Sequence, residues 1–381
     1  MRNVKGKKII MARKNIYSKK KRTPLQKAFL VIGIVFCVFA VLLSAAYGVF
    51  LHYYGKMHIG EPDDPSVWLE EGELELKEEE IETENSAEED IQALEEALKD
   101  KNESGLDFGD EDIYNLLLLG TDGRSKSERG RSDSMIILSI NRRTKKLTMT
   151  SLMRDMYMDI PGLSQGNRLN AAYSTGGTER LFATIEQNFD IPLDRFVSVN
   201  FFDFVDAIEL LGGVDVNVTA KEKEVMRQCI REVCRLKGIS PDPYYNHGTG
   251  DVTLNGIQAL AYARIRHLAN GEYDRTGRQR EVLTSLFEKV KSQKLSLSEI
   301  KQLADTILPC LSTNLTQSEV LGLLSEVPDY MDYELVSARI PFKGTYKNMG
   351  VRGMAVIGVD FEENTRQWYD VVYNGAEPQV D

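Results

Sequence analysis

Apolar positions after residue 112 follow strand and helix periods in turn. Residues 113–120 form an apolar run closed by Gly120, which predicts a strand buried on both faces. Similar patterns predict strands at 134–140, 146–153, 195–200 and, after a glycine turn, within 211–218, and helices at 178–189, 203–211 and 275–290. Strands that alternate with helices are typical of the α/β class.

Two segments near residue 250 are less regular. Residues 221–252 contain Pro241 and Pro243 and are predicted to form a loop or lid. A short helix is then predicted around 257–260. It leads into a predicted strand that carries Arg264 and Arg266 on one face, since alternate strand residues point the same way.

The first fifty residues differ sharply from the rest. Residues 1–27 carry eleven Lys or Arg and no acidic residue, and the next 24 residues, 28–51, carry no charge. Such a run is long enough to span a bilayer as a helix. We interpret it as a single retained transmembrane anchor, because it is too long for a signal peptide and aromatic residues follow it; a signal peptide or a core helix is the alternative. The basic tail is then cytoplasmic and the rest of the chain is extracellular.

Residues 52–112 are predicted to form an acidic extracellular stalk. Residues 61–112 contain 23 acidic residues and three lysines. This composition offers little apolar surface to offset the entropy of ordering, and like charges repel. One helical patch is predicted at Ile91, Leu94, Ala97 and Leu98. The segment is interpreted as a solvated linker, with a spacer or cation-attracting arm as the functional alternative.

The loop after the first predicted strand concentrates charge at Asp122, Arg124, Arg131 and Asp133. Open α/β sheets place their ligands beyond the carboxyl ends of strands. Carboxylates suit a divalent cation, and guanidinium groups suit a phosphate beside it. The alternative is a charged surface loop with local salt bridges. Arg154 also stands at the exit of a predicted strand, and a second arginine cluster further along the chain favours the first interpretation.

A second arginine cluster lies between residues 264 and 280. Arg275, Arg278 and Gln279 open a predicted helix, where free N–H groups favour anions. A buried pyrophosphate needs several donors, because a desolvated multivalent anion is otherwise very costly. The five arginines of this segment therefore predict an anion site, with a basic helix face and exposed salt bridges as the alternative.

Other classes of site have less support. Cys229 and Cys234 could form a local disulfide outside the cell, although a separation of five residues along a helix is poor geometry, and Cys310 would be left over. No Cys/His spacing typical of a zinc site occurs. The part after residue 112 is nearly neutral, so nucleic acid is not expected as a partner.

Several motifs, in order, resemble the LytR-CpsA-Psr family of cell-envelope proteins. They are Leu117-Leu-Leu-Gly-Thr-Asp-Gly-Arg124, Arg131-Ser-Asp133, Arg154-Asp155, Asn170-Ala-Ala-Tyr173, Leu211-Gly-Gly-Val-Asp215, Tyr262-Ala-Arg-Ile-Arg-His267 and Arg278-Gln279. The likeness is strong over residues 113–290 and weaker to the end, where 355–360 resembles the family's last strand. It implies a three-layer α/β/α catalytic domain over 113–381, with a central mixed sheet and a hydrophobic pocket for a lipid.

The resemblance implies a phosphotransferase that attaches an anionic glycopolymer, such as teichoic acid or capsular polysaccharide, to N-acetylmuramic acid of peptidoglycan. The donor would be a polyprenyl-pyrophosphate-linked glycan at the membrane. By motif position, Asp122 and Asp133 would hold Mg²⁺ or Mn²⁺. The pyrophosphate would be bound by Arg124, Arg131, Arg154, Arg264, Arg266, Arg275, Arg278 and Gln279. The catalytic residues would be Arg154 and, as a base, Asp133 or Asp155, which the sequence does not separate.

Two departures from the family pattern matter. Members usually have proline before the Arg-Asp pair, whereas Met153 stands here, so the backbone that aims Arg154 is expected to be less fixed. The segment 221–252 is also longer than expected and would alter the acceptor groove.

Two other functions fit the same motifs. A regulator of the cell envelope would capture lipid-linked glycan without transferring it, and a pyrophosphatase would use water in place of the sugar hydroxyl. Direct transcriptional control has little support, because no helix-turn-helix is visible and a tail of 27 residues is too short for a DNA-binding domain.

Overall fold

A computed structural model of the chain describes residues 44–60, 83–99, 104–121, 132–266, 268, 271–293 and 296–379, except for the side chains of Asp133, Phe202 and Asp203. The chain divides into two units, residues 1–52 and 53–381. Residues 44–52, the described part of the first unit, are helical. Within the described ranges no helix has both the length and the apolar character needed to cross a bilayer. Most of the predicted anchor, 28–51, lies outside those ranges.

The second unit combines strands and helices in the order expected for an α/β domain. Its strands are β1 (His58–Ile59), β2 (Ile113–Thr121), β3 (Ser132–Asn141), β4 (Lys146–Leu152), β5 (Tyr157–Met158), β6 (Asn167–Arg168), β7 (Phe196–Asn200), β8 (Val214–Val218), β9 (Gly250–Leu254), β10 (Leu311–Thr313), β11 (Glu334–Ile340), β12 (Tyr346–Val351) and β13 (Met354–Val359). Its helices are α1 (Glu88–Lys99), α2 (Leu169–Phe189), α3 (Phe201–Leu210), α4 (Ala220–Lys237), α5 (Gly256–Ala263), α6 (Glu272–Ser292), α7 (Leu297–Ile307), α8 (Gln317–Tyr330) and α9 (Phe361–Val372).

The central sheet has the strand order β1–β10–β7–β2–β3–β4–β11. Strand β2 is parallel to β7, and β4 is parallel to β11, whereas β3 is antiparallel to both β2 and β4. The carboxyl ends of β2, β4, β7 and β11 therefore share one edge, at which β3 begins. The predicted mixed sheet is confirmed, and the strands predicted at 113–120, 134–140, 146–153 and 195–200 are β2, β3, β4 and β7.

Both faces of the sheet are covered by helices. On one face, Leu117 and Leu119 of β2 share a core with Ile185 of α2 and Trp368 of α9. On the other face, β3 and β4 pack with α6 and α8 through Ile140, Leu147, Phe287 and Tyr330. Apolar residues on both faces explain why these strands are continuous apolar runs in the sequence.

The predicted loop or lid at 221–252 is wrong, because most of it is helix α4. Thr219 and Glu222 form a reciprocal capping box at its start, and Gly238 ends it in a left-handed conformation. One stripe of α4 is buried in a second core with α3, α5, β8 and β9, formed by Met226, Cys229, Ile230, Val233 and Cys234. Both cysteines are free thiols, so the local disulfide does not form.

The acidic segment 52–112 packs on the domain wherever it is described. The helical patch is α1, whose Leu94 and Leu98 are buried in the main core. Before it, the Ser86 N–H donates to the Gly350 carbonyl over 2.8 Å, and a Cβ at Gly350 would collide with the Glu84 carbonyl. Strand β1 pairs with β10. The described parts are therefore not a solvated linker. In α1, a few apolar residues at helical spacing are enough to pack the helix on the main core.

Two helix boundaries differ from the predictions. Helix α2 starts at Leu169, and the predicted start at 178 follows Gly177, whose φ of 66° interrupts the helix. Helix α5 ends at Ala263 with Arg264 as its C-cap, and Arg266 lies in irregular backbone. The strand predicted to carry Arg264 and Arg266 is therefore wrong, because the apolar run before it continues as helix.

We predict that Leu94→Ala and Leu98→Ala each lower the free energy of unfolding by about 2–3 kcal/mol, since each would leave a cavity in the core. Urea denaturation of the purified protein measures this. Leu297→Ala is the matched control, because this leucine is 87% exposed. Equal stability of all three variants and the wild type would show that α1 is not part of the core.

Candidate functional site

The candidate site lies at the sheet edge where β2, β4 and β7 end. Thr121, the last residue of β2, pairs with Ser132, the first residue of β3. The ladder shifts by one residue at this point, because Gly120 pairs with Ser134, so Asp133 occupies a β-bulge. Bulges bend a strand and often stand next to active sites.

Part of the predicted site lies outside the described residues. These are Asp122, Arg124 and Arg131, together with the side chain of Asp133. Their neighbours along the chain, Thr121 and Ser132, fix the two ends of the loop at the sheet edge.

The turn after β4 aims Arg154 and is held by four backbone hydrogen bonds. The Met153 N–H donates to the Ile340 carbonyl over 3.1 Å, and the Ile357 N–H donates to the Asp155 carbonyl over 2.9 Å. At the start of α2, the Leu169 and Asn170 N–H groups donate to the carbonyls of Met156 and Arg154. These hydrogen bonds hold the backbone around Arg154 without a proline at position 153. A proline at 153 would lack the N–H that Met153 donates.

Three arginines from distant parts of the chain meet around one carboxylate. The Glu272 carboxylate lies 3.5 Å from Arg154 Nε and 3.3 Å from Arg266 Nε, and it accepts a 2.7 Å hydrogen bond from Arg275 Nε. Arg154 also lies 3.4 Å from the Asp155 carboxylate. We call Arg154, Arg266, Arg275 and Glu272 the arginine cluster. The structure thus brings together three of the arginines named in the sequence analysis, Arg154 after β4 and Arg266 and Arg275 from the 264–280 segment.

Burial and charge act in opposite directions on the two carboxylates of this site. Burial raises the pKa of Glu272, but the charges of Arg275, Arg154 and Arg266 outweigh it and leave the pKa below its ordinary value. Burial also raises the pKa of Asp155, and here the shift persists because Glu272 adds to it while Arg154 opposes it. The Oδ1 atom of Asp155 is buried without a hydrogen-bond donor among the described groups.

Not all predicted residues join the arginine cluster. Arg264 pairs with Glu232 over 3.2 Å. Arg278 pairs with Glu222 of α4 over 2.7 Å and donates to the Ile265 carbonyl over 3.1 Å. These contacts join α4 to α6, so we assign Arg278 a structural role. The buried Gln279 follows Arg275 by four residues and shares its helix face.

Sequence reasoning missed two charged residues of the site. Glu272 holds the arginine cluster, and a carboxylate three residues before Arg275 on a helix is a signal for such a pair. Arg168 on β6 is 7% exposed; burial lowers its pKa, and the charge of Glu272 opposes this shift. No periodic pattern in the sequence points to Arg168.

The arrangement suits a multivalent anion. Three guanidinium groups face one fully charged carboxylate, so the arginine cluster keeps a net positive charge. Guanidinium groups bind phosphate oxygens through paired N–H donors. In the low dielectric of a buried site such contacts are stronger than in water.

Several known proteins with similar sequences are named as transferases. The teichoic acid transferase TagU of Bacillus licheniformis, named for transfer from a polyisoprenyl carrier to peptidoglycan, is 32% identical over 226 residues, which cover 59% of this chain and 67% of TagU. Transferase was the enzyme class predicted from the sequence, and these relatives confirm it.

Solved structures of TagT show the same fold. The crystal structure of B. subtilis TagT has a TM-score of 0.52 and 28% identity, and the match covers 72% of this chain and 96% of that chain. A TagT structure with bound octaprenyl pyrophosphate has a TM-score of 0.50 and 26% identity, covering 72% of this chain and 93% of that chain.

The family model LytR_cpsA_psr matches residues 77–370, a range that starts before α1 and includes the whole arginine cluster. The predicted domain start at 113 is therefore later than the start of the family match. With the motifs, the fold and this match in agreement, the chain belongs to the LytR_cpsA_psr family.

Proposed function

We propose that this protein is a membrane-anchored extracellular phosphotransferase. It moves an anionic glycopolymer, of the teichoic acid or capsular polysaccharide class, from a polyprenyl-pyrophosphate carrier to N-acetylmuramic acid of peptidoglycan. The observation that carries the proposal is the arginine cluster at the sheet edge. The names of the TagU relative and of the TagT structure with octaprenyl pyrophosphate support it.

The donor class follows from the chemistry. No ATP is available outside the membrane, so the energy for the new bond must already be stored in the substrate. A phosphoanhydride on a membrane lipid meets this need, and the proposed anchor at 28–51 would keep the enzyme beside it. The cytoplasmic tail at 1–27 follows from the same orientation.

The residues at the β2–β3 junction fit a magnesium ion. Asp122 directly follows Thr121, and Asp133 directly follows Ser132, and Thr121 and Ser132 are paired. Carboxylates at these two chain positions would offer the hard oxygen ligands that Mg²⁺ or Mn²⁺ prefers. A bound cation would neutralise charge on phosphoryl oxygens.

The arginine cluster and Asp155 account for the remaining chemistry. Arg154, Arg266 and Arg275 neutralise charge on the two phosphates as the phosphoanhydride bond breaks. The muramic acid hydroxyl attacks the phosphorus attached to the glycan and forms a phosphodiester, and the lipid leaves as its monophosphate. Asp155 accepts the hydroxyl proton, since its raised pKa suits a base better than that of an ordinary carboxylate.

The proposal is tested by incubating the full protein with lipid-linked donor and peptidoglycan fragments. A phosphodiester-linked conjugate supports the transferase. Free glycan phosphate would instead indicate a pyrophosphatase, and binding without any product would indicate a regulator.

We predict that Arg154→Ala and Arg275→Ala each lower the transfer rate by about 100-fold or more, because each removes a donor to the pyrophosphate. Transfer is measured as conjugate formed per unit time. Arg366→Ala is the control, because Arg366 lies exposed on α9 and pairs only locally with Glu363 and Asp370. Wild-type rates in both cluster variants would remove these arginines from the reaction.

The base assignment predicts a pH dependence. Asp155 works as a base only when deprotonated, and its pKa is raised, so the transfer rate should fall with decreasing pH at a midpoint above the ordinary aspartate value of 3.8. The Asp155→Asn variant should lose most of its transfer activity, and its remaining activity should not show this fall at low pH. Asp194→Asn is the control, since the Asp194 side chain is 81% exposed. A variant at 155 with the wild-type profile would point to Asp133 as the base.

The metal assignment predicts that Asp122→Ala shifts the Mg²⁺ titration of activity to higher concentration by about tenfold or more, as expected for loss of one charged ligand. Asp329→Ala, at an exposed position on α8, should titrate like the wild type. An unchanged titration for Asp122→Ala contradicts its role as a ligand.

A further inference from the structure

A cavity lies along α6, and the arginines of the arginine cluster do not line it. Its volume is about 910 Å³, within the range typical of ligand pockets. Its described lining includes Tyr273, Arg280, Arg339, Tyr346 and Asn348, and does not include Arg154, Arg266 or Arg275. Arg280 follows Arg275 by five residues, which is a rise of about 7.5 Å and a rotation of about 140° around the helix. We call this space the α6 cavity.

Arg280 is a buried charge for which the described residues provide no countercharge. It is 5% exposed, and its Nε donates to the Ser337 hydroxyl over 2.6 Å, but its Nη1 has no hydrogen-bond partner. Among the described residues no carboxylate lies within salt-bridge distance of it, in contrast to Arg275 and Arg278 on the same helix. Burial and the charge of Arg339 lower the pKa of Arg280 to about 10. Burying an uncompensated charge is costly, so a built anion site is the simplest reason for it.

The acidic residues that line the α6 cavity are engaged elsewhere. Glu222 accepts a 2.7 Å hydrogen bond from Arg278, and Glu281 accepts one of the same length from the Tyr262 hydroxyl. The third lining carboxylate, Asp274, lies 3.7 Å from Arg278 Nη2. Arg278 and Tyr262 therefore engage the three carboxylates that line the cavity.

Aromatic and amide groups stand beside the two arginines. The rings of Tyr273 and Tyr346 stack with centroids 4.9 Å apart, and the Arg339 guanidinium lies 4.7 Å from the Tyr273 ring centroid. The Tyr273 hydroxyl donates to Asn348 Oδ1 over 3.3 Å. Tyrosine offers an apolar face with a polar tip, and asparagine offers both donors and acceptors, which suits the C–H faces and hydroxyls of a sugar.

We infer that the α6 cavity binds an oxyanion carried on a sugar, with Arg280 and Arg339 on the anion and Tyr346 and Asn348 beside the ring. The oxyanion is a phosphate of the glycopolymer or the carboxylate of N-acetylmuramic acid, and both present negative oxygens next to a sugar ring. The inference rests on the proposed function only where it names the glycopolymer phosphate and the N-acetylmuramic acid carboxylate as the two sources of the oxyanion. The binding itself depends on the cavity alone.

Binding to the full protein is measured by ligand-observed NMR with three probes. Glucose 1-phosphate stands for the polymer phosphate, N-acetylmuramic acid stands for the acceptor, and N-acetylglucosamine is the neutral control. At least one anionic sugar should bind the wild type, and Arg280→Met should raise its Kd by about tenfold or more, as expected for loss of a charge-assisted hydrogen bond. The anionic probe that responds identifies the source. The inference is overturned when neither anionic probe binds or when Arg280→Met binds as the wild type does.

Arg154→Ala separates this inference from the proposed function. It removes a donor of the arginine cluster, where a phosphate can also bind, and leaves the lining of the α6 cavity intact, so the part of the binding that depends on Arg280 should persist in it. Loss of binding in Arg154→Ala alone would place the sugar phosphate at the arginine cluster and overturn the inference. Because no transfer is measured, failure of the transferase proposal would leave this result unchanged.

Thermal unfolding distinguishes a binding role of Arg280 from a structural one. Arg280→Met should melt at or above the wild-type temperature, since it removes an uncompensated buried charge. Saturating anionic sugar should raise the melting temperature of the wild type but not that of the variant. A melting temperature several degrees below wild type, with no rise in wild type on adding sugar, would show that Arg280 only supports the fold.

Discussion

The attraction between the Glu272 carboxylate and three guanidinium groups organises the site. Arg154 comes from the end of β4, Arg266 from the segment after α5, and Arg275 from the first turns of α6, so their mutual repulsion would otherwise push these elements apart. One buried carboxylate offsets part of that repulsion and leaves the rest for a substrate. The site is therefore held together before any anion arrives, which is the preorganisation that electrostatic catalysis requires.

The turn that carries Arg154 is held by hydrogen bonds and a buried side chain, and not by a proline ring. A proline before Arg154 would fix the turn through its ring, whereas Met153 fixes it through a buried side chain and a hydrogen bond to β11. The N-terminal turn of α2 adds two further bonds to the same loop. Thus the Asn170-Ala-Ala-Tyr173 motif, which had no assigned role from sequence, helps to position the turn that carries Arg154 through its first residue.

Strand periodicity was enough to predict the α/β class and the central strands. Long apolar runs are strong signals because both sheet faces are covered. The failures at α1 and α4 have a common cause, since both helices carry many charges around a narrow apolar stripe. The acidic composition around Leu94 and Leu98 led to the prediction of a solvated linker, although these residues are buried. Pro241 and Pro243 led to the prediction of a loop, although Met226 and Ile230 belong to a buried helical stripe. The division of labour between Arg275 and Arg278 depends on which carboxylate each meets in space, and no spacing in the chain reveals this.

The docking of α1 also bears on how the domain is produced as a soluble fragment. A recombinant truncation that begins at residue 113, where the composition changes, would remove Leu94 and Leu98 and open an apolar groove beside β12 and β13. Such a surface promotes aggregation. A fragment that begins near residue 77, where the family match starts, keeps this cover in place.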